Sequence, residues 1–205
     1  NIAKLGFKLS DVKILLNSHA HFDHSGGLAQ LKKDTGAELA VMDGDVSAIE
    51  GGFYLGSESN KAMGAPPVKV DRVLKDGDKV VLDGIELTAN LTPGHSKGCT
   101  SWGAKTTEGG KTYDVLVFCS ATVAANRITP PLQYAGIVED YRATFAKVKA
   151  MKADIPLAPH PEFFGLLEKN TKAQTEKSQA PFVDPAALGT LIEKLESDFE
   201  RTLKE

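Results

Sequence analysis

The chain has 205 residues, 41% of them hydrophobic, which suffices for one domain with a core of its own. Its 27 acidic residues outweigh 24 basic ones, for a net charge of −3, and no basic run occurs; this speaks against a nucleic acid or another polyanion as partner. No apolar stretch approaches the roughly 20 residues that span a bilayer.

Residues 1–6, Asn1-Ile2-Ala3-Lys4-Leu5-Gly6, read as the last turn of a helix with a glycine stop. The apolar run at 12–16 predicts a strand, and directly after it comes Ser18-His19-Ala20-His21-Phe22-Asp23-His24-Ser25-Gly26-Gly27. Residues 27–35 have the spacing of an amphipathic helix ended by Gly36, whose N-terminal dipole favours an ionised Asp23 just ahead of it. Residues 38–42 are a buried strand by composition. Residues 51–67 are rich in Gly and Ser and contain Phe53, Tyr54, Leu55 and Met63. This stretch is either a mobile rim that grips a ligand or a surface loop that tucks its aromatics into the core.

Residues 80–87 form a hairpin about Asp83-Gly84. His95 follows in a loop, Thr92-Pro93-Gly94-His95-Ser96-Lys97-Gly98. Strands at 100–104 and 113–118 flank a turn at 108–111. If Ala104 faces Asp114, Cys99 lies opposite Cys119 and a disulfide is geometrically possible; two small buried thiols are the alternative. A helix over 139–151, apolar at Tyr141, Phe145, Val148 and Met151, leads into a strand at 155–158, which delivers His160 in Ala158-Pro159-His160-Pro161. Helices at 164–176 and 185–204 cover one face.

Three of the five histidines sit in H-x-H-x-D-H, and the other two stand alone in loops. In extended backbone His19 and His21 point the same way and can share one ion, while a turn beginning near Phe22 swings Asp23 and His24 to a neighbouring position. Imidazoles with one carboxylate and no thiolate suit zinc in an open rather than a closed structural site. Six ligands are too many for one tetrahedral zinc but give two ions three each, with a position left for water or substrate. Two such ions, about 3.5–4 Å apart, can share a hydroxide whose pKa is lowered toward about 7 and can polarise a carbonyl, which is metal-assisted hydrolysis.

These motifs resemble the metallo-β-lactamase superfamily, through the run from Ser18 to Gly27, the segment from Thr92 to Gly98 and the late Pro159-His160-Pro161. The likeness is greatest to the third subclass of class B β-lactamases, in which both zinc sites lack cysteine. Glu139-Asp140-Tyr141-Arg142-Ala143-Thr144-Phe145 precedes the last histidine at a suitable distance, and Phe118-Cys119-Ser120-Ala121-Thr122 stands where thioesterase and nuclease relatives carry a bridging Asp in Gly-Asp-Thr.

The resemblance implies an α/β fold, the metallo-β-lactamase αββα sandwich, with residues 1–205 forming a single domain. It implies two zinc ions, the first held by His19, His21 and His95 and the second by Asp23, His24 and His160. Ser120 would orient water near the second zinc, and Asp23 would help relay a proton. The implied substrate is a small-molecule β-lactam (penicillin, cephalosporin or carbapenem); a lactone, a glyoxalase-type thioester or a purely structural zinc module are the rivals. After Ser120, Thr122, Asn126 and Arg127 are candidates to receive the substrate carboxylate, with a surface ion pair the other reading for Arg127. Similar enzymes are periplasmic monomers that contact neither nucleic acid nor membrane, which also favours the Cys99–Cys119 bridge. In this family an N-terminal half precedes the motif and includes an acidic residue that supports the ligands. Most of that half is expected to lie ahead of residue 1, together with any signal segment; were the chain complete, one sheet would expose an apolar face.

Overall fold

The computed structural model describes residues 2–205, so Asn1 of the expected helical turn lies outside the described residues. Ala3–Leu5 forms one 3-10 turn, closed by Gly6 in the left-handed region. Two sheets follow. The first contains the parallel strands β1 (Ile14–Leu16), β2 (Glu38–Met42) and β3 (Arg72–Leu74), side by side in that order. The second is an antiparallel meander of β4 (Lys79–Leu82), β5 (Ile85–Leu91), β6 (Thr100–Glu108) and β7 (Lys111–Val117), with β8 (Ile155–Leu157) added parallel to β7.

The period of two along each strand builds the layers. In β2, Leu39 and Val41 pack with Leu28 of α2 (Leu28–Thr35) and Ile49 of α3 (Asp43–Gly51). Ala40 and Met42 point the other way, onto Val80, Ala89 and Trp102 of the second sheet. Trp102 also donates its indole N–H to the Asn17 carbonyl at 2.9 Å, which ties the sheets together. Beyond the second sheet, Leu116 and Phe118 pack against Tyr141 and Phe145 of α4 (Ile137–Lys149) and Ile192 and Phe199 of α6 (Ala187–Thr202). The layers are helix, sheet, sheet, helix, as expected. Val73, Val81, Leu82 and Ile85 at one margin of the sandwich are exposed. Among the described residues no helix is long and apolar enough to cross a membrane.

Three local expectations need correction. Asp23 does not stand directly at the start of α2; it sits in the first turn of a separate four-residue helix, α1 (Phe22–Ser25), ahead of it. Ala104 faces Val115 rather than Asp114, a register one residue away from the expected one. Cys99 and Cys119 are nevertheless bonded, with Cα atoms 5.9 Å apart. Both lie beyond the last β6–β7 pair, Trp102 with Val117, where the two backbones are free of the ladder. Finally, α3 and β3 occupy stretches where no element was expected. The helix is short, with glycine at its second position and its end, and the strand has only three residues.

Candidate metal centre

All six expected ligands meet at one end of the sandwich. Extended backbone after β1 presents His19 and His21, and His21 caps α1, whose single turn brings Asp23 and His24 around. His95 comes from the loop between β5 and β6, and His160 from the segment after β8. The ring centroid of His19 lies 4.5 Å from that of His21, 4.6 Å from His95 and 4.2 Å from His24. Two groups result, His19 with His21 and His95, and Asp23 with His24 and His160; within each, one ligand atom per residue falls within 4.8 Å of the others. In the second group, His24 Nε2 is 3.1 Å from Asp23 Oδ2 and 3.0 Å from His160 Nε2.

Burial prepares these imidazoles as neutral donors. His19 is 1% exposed, and its Nε2 is buried with no hydrogen-bond partner in the protein. Such an atom is costly unless something binds it, so a cation suits this pocket. Loss of hydration, reinforced by the other histidines, holds His19 far below the ordinary imidazole range and lowers His21 to about 3. Burial lowers His95 to about 4, against the opposing hydrogen bond to Thr122. It lowers His24 as well, with the Asp23 carboxylate acting the other way. His95 Nδ1 donates to the Thr122 carbonyl at 2.7 Å, which fixes the tautomer and leaves Nε2 its lone pair. His21, His95, Asp23, His24 and His160 all open onto a single cavity of 270 Å³, whose wall includes Ser120 and Thr122.

The family model described as the metallo-beta-lactamase superfamily matches residues 2–107. The chain belongs to this superfamily. Among solved structures, BJP-1, a subclass B3 metallo-beta-lactamase of Bradyrhizobium japonicum, is 50% identical, with a TM-score of 0.96 over 100% of this chain and 77% of its own. The FEZ-1 metallo-beta-lactamase from Legionella gormanii is 40% identical, with a TM-score of 0.92 over 99% of this chain and 78% of its own. A curated relative, the hydroxyacylglutathione hydrolase of Rhodospirillum rubrum, is 31% identical over 41% of this chain. The chain spans about a quarter to a third of the length of the curated relatives it matches first.

In this superfamily member the ligand loops rest on one buried acid that the sequence reading did not single out. Asp45, in the first turn of α3, accepts the Ala20 N–H at 2.8 Å, the Ser96 hydroxyl at 2.7 Å and the Gly98 N–H at 2.7 Å. It therefore joins the loop of His19 and His21 to that of His95. This supporting carboxylate follows the histidine motif in the chain. Burial pushes its carboxyl upward, against three hydrogen bonds that favour the ionised form. The contact needs glycine: a Cβ on Gly98 would meet the Asp45 backbone nitrogen at 2.4 Å. An aspartate following a buried strand in Met42-Asp43-Gly44-Asp45 is the only trace of this role in the sequence.

The loop at 51–67 is divided between its two readings. Phe53 packs into the core, whereas Tyr54 and Met63 line the cavity. Tyr54 stacks on His21 with centroids 4.6 Å apart and donates to Asn126 Oδ1 at 2.7 Å. Asn126 in turn donates to the His95 carbonyl at 2.9 Å and to Tyr141 Oη at 3.1 Å. Buried and engaged at both its oxygen and its nitrogen, Asn126 holds the site together. Arg127 is not brought to the cavity. Its guanidinium reaches the Gly56 and Pro131 carbonyls and Ser57 Oγ, a clasp on the rim loop. Ser120 Oγ and Thr122 Oγ1 stand 3.2 Å apart on the wall. Behind them, Cys119 Sγ of the disulfide touches His19 Nδ1 at 3.6 Å.

Proposed function

We propose that this superfamily hydrolase opens the ring of β-lactams with two zinc ions, one held by His19, His21 and His95 and the other by Asp23, His24 and His160. The observation that carries the reading is the pair of three-residue groups facing one cavity, built from imidazoles kept neutral by burial and free of thiolate. The high similarity to BJP-1, a subclass B3 metallo-beta-lactamase, and to the FEZ-1 metallo-beta-lactamase supports the β-lactam as substrate. When bound, the ions supply a hydroxide at neutral pH and an electrophile for the lactam oxygen.

The chain's own groups do the rest. Thr122 and Tyr141 hold the His95 loop, since both His95 Nδ1 and Tyr141 Oη donate to the Thr122 carbonyl. Ser120 Oγ orients water at the cavity wall, and Thr122 Oγ1 donates to the substrate carboxylate. Asp23, with an accessible carboxylate, holds the proton that passes from the attacking water to the ring nitrogen. The 205 residues act as one domain and as a monomer, and the buried disulfide accords with an oxidising compartment such as the periplasm, where a role in antibiotic resistance would be exercised.

The hydroxyacylglutathione hydrolase relative favours a second reading, a thioester opened by the same centre. A panel of a carbapenem, a glutathione thioester and a homoserine lactone, each assayed with the zinc-loaded chain, decides between them. The β-lactam reading expects the carbapenem to have the highest kcat/KM; a thioester or lactone turned over faster would replace it.

A further inference from the structure

His19 is the most deeply buried of the five histidines, and its two ring nitrogens have different neighbours. Nε2 has no hydrogen-bond partner among the described residues. Nδ1 lies 3.0 Å from Ser18 Oγ and 3.6 Å from Cys119 Sγ. The sulfur is half of the Cys99–Cys119 disulfide and carries no hydrogen, so it has only lone pairs to turn toward the ring. A bare Nδ1 would face those lone pairs with its own. An N–H at the same place meets Oγ as a good acceptor and Sγ as a weak one. The opposite tautomer would also bury an N–H at Nε2 with nothing to accept it, the rarer kind of orphan. The backbone around the hydroxyl is pinned to β6: the Ser18 carbonyl accepts the Thr100 N–H at 2.8 Å, and the Asn17 carbonyl takes the Trp102 indole.

We infer that Ser18 is a positioning residue of the metal centre: its hydroxyl accepts the Nδ1 proton of His19, which fixes the ring and its tautomer and leaves the Nε2 lone pair for the first zinc. The inference rests on the zinc assignment proposed above. His95 is held in the same way by the Thr122 carbonyl, so two ligands of the first group have outer acceptors, one a side chain and one backbone. The side chain can be removed by substitution, whereas the carbonyl cannot. Ser18 stands just ahead of H-x-H-x-D-H, and nothing in the sequence marks it as more than a neighbour of the motif.

Long-range proton–nitrogen NMR spectra of the metal-free chain read the tautomer of His19 directly. In the wild type Nδ1 is expected to carry the proton and Nε2 none; a proton on Nε2 overturns the inference without any variant having to fold. Ser18→Ala is expected to populate both tautomers and to weaken the binding of one of two zinc ions by about 10–100-fold, measured by competition with a chromophoric chelator. Ser18→Thr keeps a hydroxyl at this position and is expected to recover both the single tautomer and the affinity. An unchanged tautomer in Ser18→Ala, whatever its zinc affinity, or no recovery in Ser18→Thr also overturns the inference. Zinc that leaves the His19 signals of the wild type unmoved overturns the ligand assignment itself, and the metal-free tautomer tells the two failures apart.

Discussion

His95 can carry its proton on only one nitrogen, because Nδ1 faces the Thr122 carbonyl at 2.7 Å and a carbonyl can only accept. The lone pair on Nε2 is then directed by the protein rather than chosen by the ligand. His160 has no comparable anchor: it lies half-buried next to His24 and Asp23, in the more open of the two groups. Replacing either His95 or His160 with alanine should remove zinc and activity together, by more than the roughly 10–100-fold that loss of an outer partner costs. Zinc analysis alongside initial rates is the check, and a variant that kept both would contradict the ligand assignment. The histidines were legible in the sequence because they are few and closely spaced. Asp45 and Tyr54 acquire their roles only through contacts across 25 and 72 residues, with Ala20 and Asn126, and no local pattern encodes such contacts.

Strands and helices with a clear apolar period were found close to where they were expected, since one buried face leaves its period in the sequence. Register was not, because β6 and β7 pair over polar residues such as Lys105 with Asp114 and Thr106 with Tyr113, whose partly or fully exposed side chains tolerate a one-residue slip. The disulfide survives that error because it lies outside the ladder. It closes a loop of 20 residues between the His95 loop and the segment of Ser120. Replacing both Cys99 and Cys119 with serine should lower the free energy of unfolding by about 3 kcal/mol, read from urea denaturation of the metal-free chain. A loss below about 1 kcal/mol would mean that the elements it joins are held by their other contacts.

At the scale of the whole molecule, five imidazoles gathered at one end of two packed sheets make stability depend on pH even without metal. His21 and His95 titrate near 6.5 when unfolded but are lowered to about 3 and about 4 when folded. Between those values the unfolded chain binds more protons, so stability is complete above about pH 6.5 and declines as the pH falls toward 4. Going from pH 7.5 to pH 5 should cost on the order of 2 kcal/mol for each of the two residues. Denaturant midpoints of the metal-free protein at the two pH values measure this, and equal midpoints would show that these histidines are hydrated when folded. Bound zinc should deepen the same dependence, because protons compete with it for the same nitrogens.

The most direct test of the account is the rate of carbapenem hydrolysis by the full chain with added zinc, measured again after chelation and once more after zinc is restored. Turnover that vanishes with the chelator and returns with zinc is the predicted result. Two zinc ions bound without turnover, or turnover indifferent to the chelator, would contradict it.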